Sequence, residues 1–227
     1  MNRLRIQDEK GNITIFFISS LFIMVIMFLI VLNFTKVFAV KQQASNAAEQ
    51  ASFAATAVIY ELAMEGTRNY DRSIPGQAER VLTGKTVEEK IGDRADHLQR
   101  SEPNISFNEA RIRAIDEVLS AELQSGPGKN KLNHEIVSVL QWRGIDEVRS
   151  AVSGIISSNG GGSDVTSVIL FSPDYRVEVE TSSEFEALKI NRLFTGMKKN
   201  LFQTGKGPEA AFLKEIDGWS TKTIQIP

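Results

Sequence analysis

Hydrophobic positions along the chain change their pattern at definite points. No charged residue lies between Gly11 and Thr35, and Ile13 to Leu32 reads ITIFFISSLFIMVIMFLIVL. A bilayer core about 30 Å thick is crossed by about 20 apolar residues at 1.5 Å each. The stretch is apolar on every side of a helix, as a rod in lipid is and a surface amphipath is not. Thr14, Ser19 and Ser20 fit inside it, because a hydroxyl can bond back to a helix carbonyl. Asn33, Thr35 and Lys36 mark its far boundary, where a lysine can reach the headgroups. A cleaved secretory signal is the rival: the start is basic (Arg3, Arg5, Lys10), and Val37-Phe38-Ala39 loosely resembles a cleavage site. A signal's apolar region runs only about 7–15 residues, however. A retained membrane anchor is the expectation.

Beyond Lys36 the apolar residues thin out to three- and four-residue spacing: Val37, Val40, Ala44, Ala47, Ala51, Ala54 and Val58. That is a heptad-like seam. No Gly or Pro interrupts the chain between Asn12 and Glu65. One helix of about 80 Å is therefore predicted to leave the bilayer and continue into solvent. The middle of the seam is alanine, which buries little area but lets a neighbour approach closely, and which is also the strongest helix former. Two uses stay open: packing on the chain's own C-terminal domain, or docking a partner helix. Both can hold along different stretches of one helix.

Gly66 to Gly76 is turn-rich and is predicted to end the long helix. Helical pieces follow around Val81 and over Val87–Leu98. Asn108 suits a cap before a helix with Ile112, Ile115, Val118, Leu119 and Leu123 on one face. Ser125-Gly126-Pro127-Gly128 breaks it. A second helical region carries Ile136 to Ile156 as far as Asn159, with Gly144 as a possible divider. After the joint Gly160-Gly161-Gly162-Ser163 the period becomes two. Val165–Phe171 reads as an apolar strand, and Tyr175–Thr181 as an alternating, half-buried antiparallel one. Two or three further strands are expected within Phe185–Ile226, with turns at Gly196 and Gly205–Pro208. Helices first and a small antiparallel sheet afterwards make the fold class α+β.

Composition narrows the chemistry. The 227 residues hold 26 Lys+Arg against 28 Asp+Glu, a net charge of -2, which offers no basic face for nucleic acid. Cysteine is absent, so disulfides, thiolate metal sites and a Cys nucleophile are excluded. Gly84-Lys85-Thr86 has the tail of a phosphate loop, but Glu79 stands where its first glycine belongs. His134-Glu135 begins like a zinc-protease motif, but Ser138 holds the second histidine position. Glu178 and Glu180 read as a solvated strand face rather than a carboxylate pair. Trp142 and Trp219 read as core or half-buried residues rather than sugar platforms. Lys198, Lys199 and Lys206 suit an anionic polymer or lipid about as well as an ordinary surface. No catalytic, cofactor-binding or metal site is expected, and no small-molecule substrate is identified.

Lys10-Gly11-Asn12-Ile13-Thr14, the apolar span, and then Lys41-Gln42-Gln43-Ala44-Ser45-Asn46-Ala47-Ala48-Glu49-Gln50-Ala51-Ser52-Phe53-Ala54-Ala55 resemble the N-terminal module of the Tad/Flp pilus-assembly proteins (TadE/TadG-like). The resemblance covers about residues 8–60. It implies a membrane-anchored, pilin-like component of a secretion or adhesion pilus, with its soluble part outside the membrane. Gly11–Asn12 stands where processed pilin-like proteins are cut, so these two residues are the candidate leader-cleavage position. Such proteins carry a Glu at the fifth mature position, and here that position is Phe16. Phe16 cannot pair with a neighbouring subunit's terminal amine. The chain is therefore not expected to polymerise as a major fibre subunit, and Gly11 reads rather as a helix-start residue at the membrane edge.

The resulting map is a cytoplasmic leader at 1–11, a transmembrane helix at 12–35, and an alanine-rich extracytoplasmic stalk helix at 36–66. A helical region at 67–159, a glycine linker at 160–163 and an antiparallel β region at 164–227 follow. Basic residues are denser before the span than after it, which favours the N-terminus inside. The expected function is a single-pass structural component that assembles or anchors a Tad/Flp-type pilus or related secretion machine. Its partners would be the lipid bilayer and other pilus-assembly or pilin-like membrane proteins. A membrane-tethered extracytoplasmic enzyme or ligand-binding module is the alternative.

Overall fold

The computed structural model describes residues 9–159, 162–186 and 198–226. A single helix, α1 (Glu9–Arg72), takes up the first third of the chain. It does not stop at Gly66 as the turn-rich sequence suggests. A Cβ on Gly66 would lie 2.6 Å from the Ile136 Cα, so this glycine lets a neighbouring helix close in and does not make a turn. The break comes at Ser73, whose hydroxyl accepts from the Gly76 amide and caps α2 (Ile74–Thr83), with Pro75 in the first turn.

Local signals set the next boundaries. Gly84 (φ 80°) is the left-handed C-cap of α2, and Thr86 forms a capping box with Glu89 at the start of α3 (Val87–Ser101). Gly84-Lys85-Thr86 is thus a helix-to-helix joint. Helix α4 (Phe107–Ser125) is capped by Ser106 and not by Asn108, because the Ser106 hydroxyl reaches the Glu109 amide. Its face Ile115, Leu119 and Leu123 is buried. Helix α5 (Lys129–Val139) passes through a π-helical turn, Leu140–Gly144, into α6 (Ile145–Ser158), so Gly144 does mark an irregularity.

The sheet has the order β3-β2-β1-β4 and is antiparallel throughout. Its strands are β1 (Gly162–Leu170), β2 (Glu178–Glu186), β3 (Lys198–Lys206) and β4 (Lys222–Ile226). Strand β1 already includes Gly162 and Ser163 of the expected joint, while Gly160 and Gly161 lie outside the described residues. The expected strand at Tyr175 begins only at Glu178, because Tyr175 adopts φ 56° in the turn. The alternation survives: Val177, Val179 and Thr181 are all buried. Gly205 lies within β3 rather than in a turn, and Gly196 falls outside the described residues.

The upper half of α1 is the axis of the domain, with α5, α6, β2 and β3 packed along it. Ala44, Ala47, Ala48, Ala51, Ala55, Ile59, Leu62 and Ala63 are buried there. A Cβ on Gly205 would lie 2.3 Å from backbone atoms of Ala48 and Glu49, and one on Gly207 would lie 2.3 Å from the Thr56 hydroxyl. Alanine on the helix and glycine on the strand let backbone meet backbone. Ser52, Thr56 and Thr67, buried on the same helix, return their hydroxyls to α1 carbonyls.

Where α1 gives way to α2, a largely buried polar cluster joins four helices. The Tyr70 hydroxyl donates to Glu79, and Lys90 donates to Glu79 at 2.7 Å and to Glu122 at 2.8 Å. Burial pushes the Glu79 carboxyl upward, but the hydrogen bonds from Lys90 and Tyr70 outweigh it and hold the group below the ordinary glutamate range. A depressed carboxylate stabilises the fold above the unfolded-state value of about 4.3, and that contribution fades as pH falls through the lower folded value.

Two stability measurements test this packing. Gly205→Ala should cost about 2 kcal/mol in denaturant unfolding, as overpacking does. Gly92→Ala, in α3 with open space around it, should change stability by less than about 1 kcal/mol and favourably. Glu79→Gln should cost about 2 kcal/mol at pH 7, and the gap to the unsubstituted protein should close as pH drops below 4.3. A gap that stays constant down to pH 3 would contradict the charged cluster.

Candidate functional site

The site to be built is α1 itself, first as an apolar rod and then as a shared surface. From Ile13 to Val31 the side chains are exposed or half-exposed, with none buried against the other described residues. Phe16 is 70% exposed. This helix is apolar and long enough to cross a membrane. Gly11 and Asn12 lie in its first turns, inside continuous helix. The leader residues before Glu9 fall outside the described residues. Near the end of the apolar stretch Asn33 and Thr35 turn their polar groups back onto the carbonyls of Leu29 and Val31, each at 3.0 Å.

Lys36, the first charge after the span, does more than reach for solvent. Its ammonium donates to the Glu186 carbonyl and lies 6.0 Å from the Phe185 ring. The β2–β3 end of the sheet is therefore tied to the helix where the apolar stretch stops. Strand β2 runs back along α1: its Val179 pairs with Gly205 beside Ala48, and its Glu186 end sits at Lys36. The folded domain begins at the edge of the span, with no length of bare rod between them.

The seam residues all lie toward the domain side of α1. Ala44, Ala47 and Ala51 are fully buried in the chain's own packing. Ala54 and Val58 are half-buried, Val58 against the main core, and Val37 and Val40 are half-buried near the foot of the domain. On the opposite side runs a continuous exposed stripe: Phe38, Gln42, Asn46, Glu49, Phe53 and Ala57. Phe38 is 69% and Phe53 51% exposed. The seam's own spacing did not point to this stripe. The signal that could have found it is the recurrence of aromatic residues on a polar face.

The polar tract flanking the seam has a role that sequence reasoning missed. Gln43 donates to the Asn159 carbonyl at 2.8 Å, and Asn159 donates to Gln50 at 3.2 Å, so the tract grips the end of α6. Higher on α1, Tyr60 donates to Asp116 at 2.7 Å. Burial raises both groups above their ordinary ranges, and the Asp116 charge adds to the rise at Tyr60.

The remaining sequence candidates are scattered. His134 and Glu135 lie on α5, with Glu135 paired to Lys131. Glu178 pairs with Lys206 at 2.9 Å, and Glu180 accepts from the Ser167 hydroxyl at 3.4 Å. Lys199 is exposed on β3, and the Lys198 side chain lies outside the described residues. Trp142 is not a core residue: it stands 84% exposed on the π-helical turn. Trp219 is half-buried, edge-on to Phe171 at 4.9 Å. Among the described residues no group of three or more His, Cys, Asp or Glu side chains could hold a metal ion.

No curated protein and no solved structure matches the chain at a significant level. Residues 11–58 match the model of the family described as "Putative Flp pilus-assembly TadE/G-like", so the likeness covers the apolar span and the adjoining part of α1.

Proposed function

We infer that this protein is a single-pass membrane component that supports assembly or anchoring of a Tad/Flp-type pilus or a related secretion machine. The carrying observation is the coincidence of the Tad match at 11–58 with an apolar helix that has no burial partner among the described residues. In this reading the N-terminus lies inside and the α+β domain stands outside, seated at the membrane surface through Lys36. Other pilus-assembly or pilin-like membrane proteins would be the partners, and no catalytic step is assigned.

The docking surface follows from which side of α1 is occupied. Ala44, Ala47 and Ala51 already serve the chain's own domain, so the seam's contribution to a partner is indirect: it holds α1 in register with the sheet. Partner helices would meet the apolar span in lipid and the stripe from Phe38 to Ala57 outside it. Phe16 removes the carboxylate that fibre subunits use, so the protein would act beside the fibre and keep its Gly11–Asn12 bond.

Deleting the gene should abolish pili or surface attachment, scored by electron microscopy; a piliated deletion strain would refute the assignment. Phe53→Ser combined with Ala57→Glu should leave the melting temperature within the shift expected of about 0.5 kcal/mol, yet abolish co-purification of pilus-assembly proteins from solubilised membranes. Mass spectrometry of the mature protein should find no new terminus at Asn12. Leucine at Ala47 or Ala51 is a poor probe, because it would overpack the chain's own core.

A further inference from the structure

Helix α2 faces the opposite way from what its sequence favours. At about 100° per residue, Val81, Ile74, Ala78, Leu82 and Pro75 fall in that order across an arc of about 120°. All five are exposed, Ile74 and Val81 at 85% and Leu82 at 78%. The side that α2 buries carries Gly76 and Glu79. An amphipathic helix on a folded domain ordinarily does the reverse.

The fold holds the helix in this position. A Cβ on Gly76 would lie 2.2 Å from the Tyr70 carbonyl oxygen, so backbone seats against backbone there. Glu79 accepts from Tyr70 and from Lys90. Rolling α2 to bury Leu82 would break both the close approach and these bonds. The outward side chains form a contiguous apolar patch on the order of 500 Å², a size that on a single chain is often functional.

Height, charge and area select what covers the patch. On the reading of α1 as a membrane helix ending at Lys36, on which this inference rests, Arg72 stands about 50 Å beyond the boundary. With 10 residues, α2 can return toward the bilayer by no more than about 15 Å. The membrane that holds the anchor therefore cannot cover it. A second anchored copy can: the unbroken α1 lifts its α2 to the same height, and a two-fold axis along the membrane normal sets the two patches face to face. A surface that meets its own copy must not repel itself. The arc carries no charge, and Arg80 and Lys85 beside it are answered within the chain, Arg80 by Glu89 at 3.4 Å and Lys85 by Asp93. Ala78, at the middle of the arc, is small enough to let two helices close on each other at their crossing. Two copies would bury about 1,000 Å² together, below the roughly 1,200–2,000 Å² of a stable interface. Such a pair is weak in free solution and is completed by confinement of both copies to one membrane. We propose that α2 is a homotypic contact through which two copies of this protein pair side by side on the membrane, Ala78 against Ala78.

The test is oxidative cross-linking of the purified full-length protein in liposomes of neutral lipid, with no other protein present. The chain has no cysteine, so Ala78→Cys supplies one thiol per copy. It should give a disulfide-linked dimer in a yield at least about tenfold above that of Ser150→Cys, which is exposed on α6, because a disulfide forms only where Cα atoms come within about 7 Å. Adding Val81→Glu or Leu82→Glu to Ala78→Cys should cut that yield at least about tenfold while moving the melting temperature by less than about 2 °C, since both side chains are exposed. In native membranes the Ala78→Cys link should again join two copies. A yield no greater than that of Ser150→Cys, indifference to the glutamate variants, or a link in native membranes to a different protein instead would each overturn the proposal. Carbonate extraction of the same liposomes separates the two readings: a chain that resists extraction but does not cross-link overturns the pairing alone, and a chain that washes off overturns the anchor and the pairing with it.

Discussion

How closely backbone can approach α1 governs everything built around its upper half. A sheet normally keeps its distance from a helix because side chains stand between them. Here the helix offers alanine at Ala44, Ala47, Ala48, Ala51 and Ala55, and β3 answers with Gly205 against Ala48. Gly66 does the same from the helix side toward Ile136 on α5. Little apolar area is buried per residue in such contacts, so stability rests on many small contacts at native density rather than on a few large side chains. Larger groups take over higher up, where Tyr60 meets Phe212 at 5.6 Å and Leu62 and Tyr70 are enclosed. The packing is thus graded along the axis, thin near the apolar span and bulky at the far end.

Polar contacts hold what this thin packing cannot. Lys36 ties the hairpin end of the sheet to the foot of the domain, and Gln43 and Gln50 hold the end of α6 through Asn159. At the far end, the Tyr70–Glu79–Lys90–Glu122 cluster locks the turn from α1 into the shorter helices. Asp71 adds to that joint by accepting from the Val87 and Glu88 amides at the start of α3. A carboxylate at a helix N-terminus satisfies orphan donors and meets the positive end of the dipole.

The elements that could be read from sequence alone were those with an unbroken period or a strong local device. The apolar run, the helix without Gly or Pro, the break at Ser125–Gly128 and the α+β order all belong to this kind. Gly66 and Gly205 were misread as turns for one reason: a glycine chosen for close approach looks the same in sequence as one chosen for a bend. Only the partner backbone, more than sixty residues away in sequence for Gly66, tells them apart. Trp142, expected in the core or half-buried, stands exposed on the π-helical turn, an irregularity that no residue of its own sequence announces. The seam could be located by its spacing, yet spacing does not say whose backbone fills it.

The occupied seam changes where any partner can add affinity. On the exposed stripe of α1, Phe38, Phe53 and Ala57 are separated by Gln42, Asn46 and Glu49. Such a face gives a modest contact, centred on aromatic anchors with polar surroundings. Along the apolar span, by contrast, the described residues leave the whole circumference uncovered, and helix association in lipid would depend on close packing that Ser19 and Ser20 permit. Because both surfaces lie on one continuous helix, a neighbour held by the first is presented to the second at high effective concentration. Weak outer contacts would then suffice to set orientation, with the apolar span supplying proximity. A rigid α1, clamped by its alanine face to the sheet, is what makes that coupling possible: were the helix hinged at Lys36, contact in the membrane would say nothing about where Phe53 points.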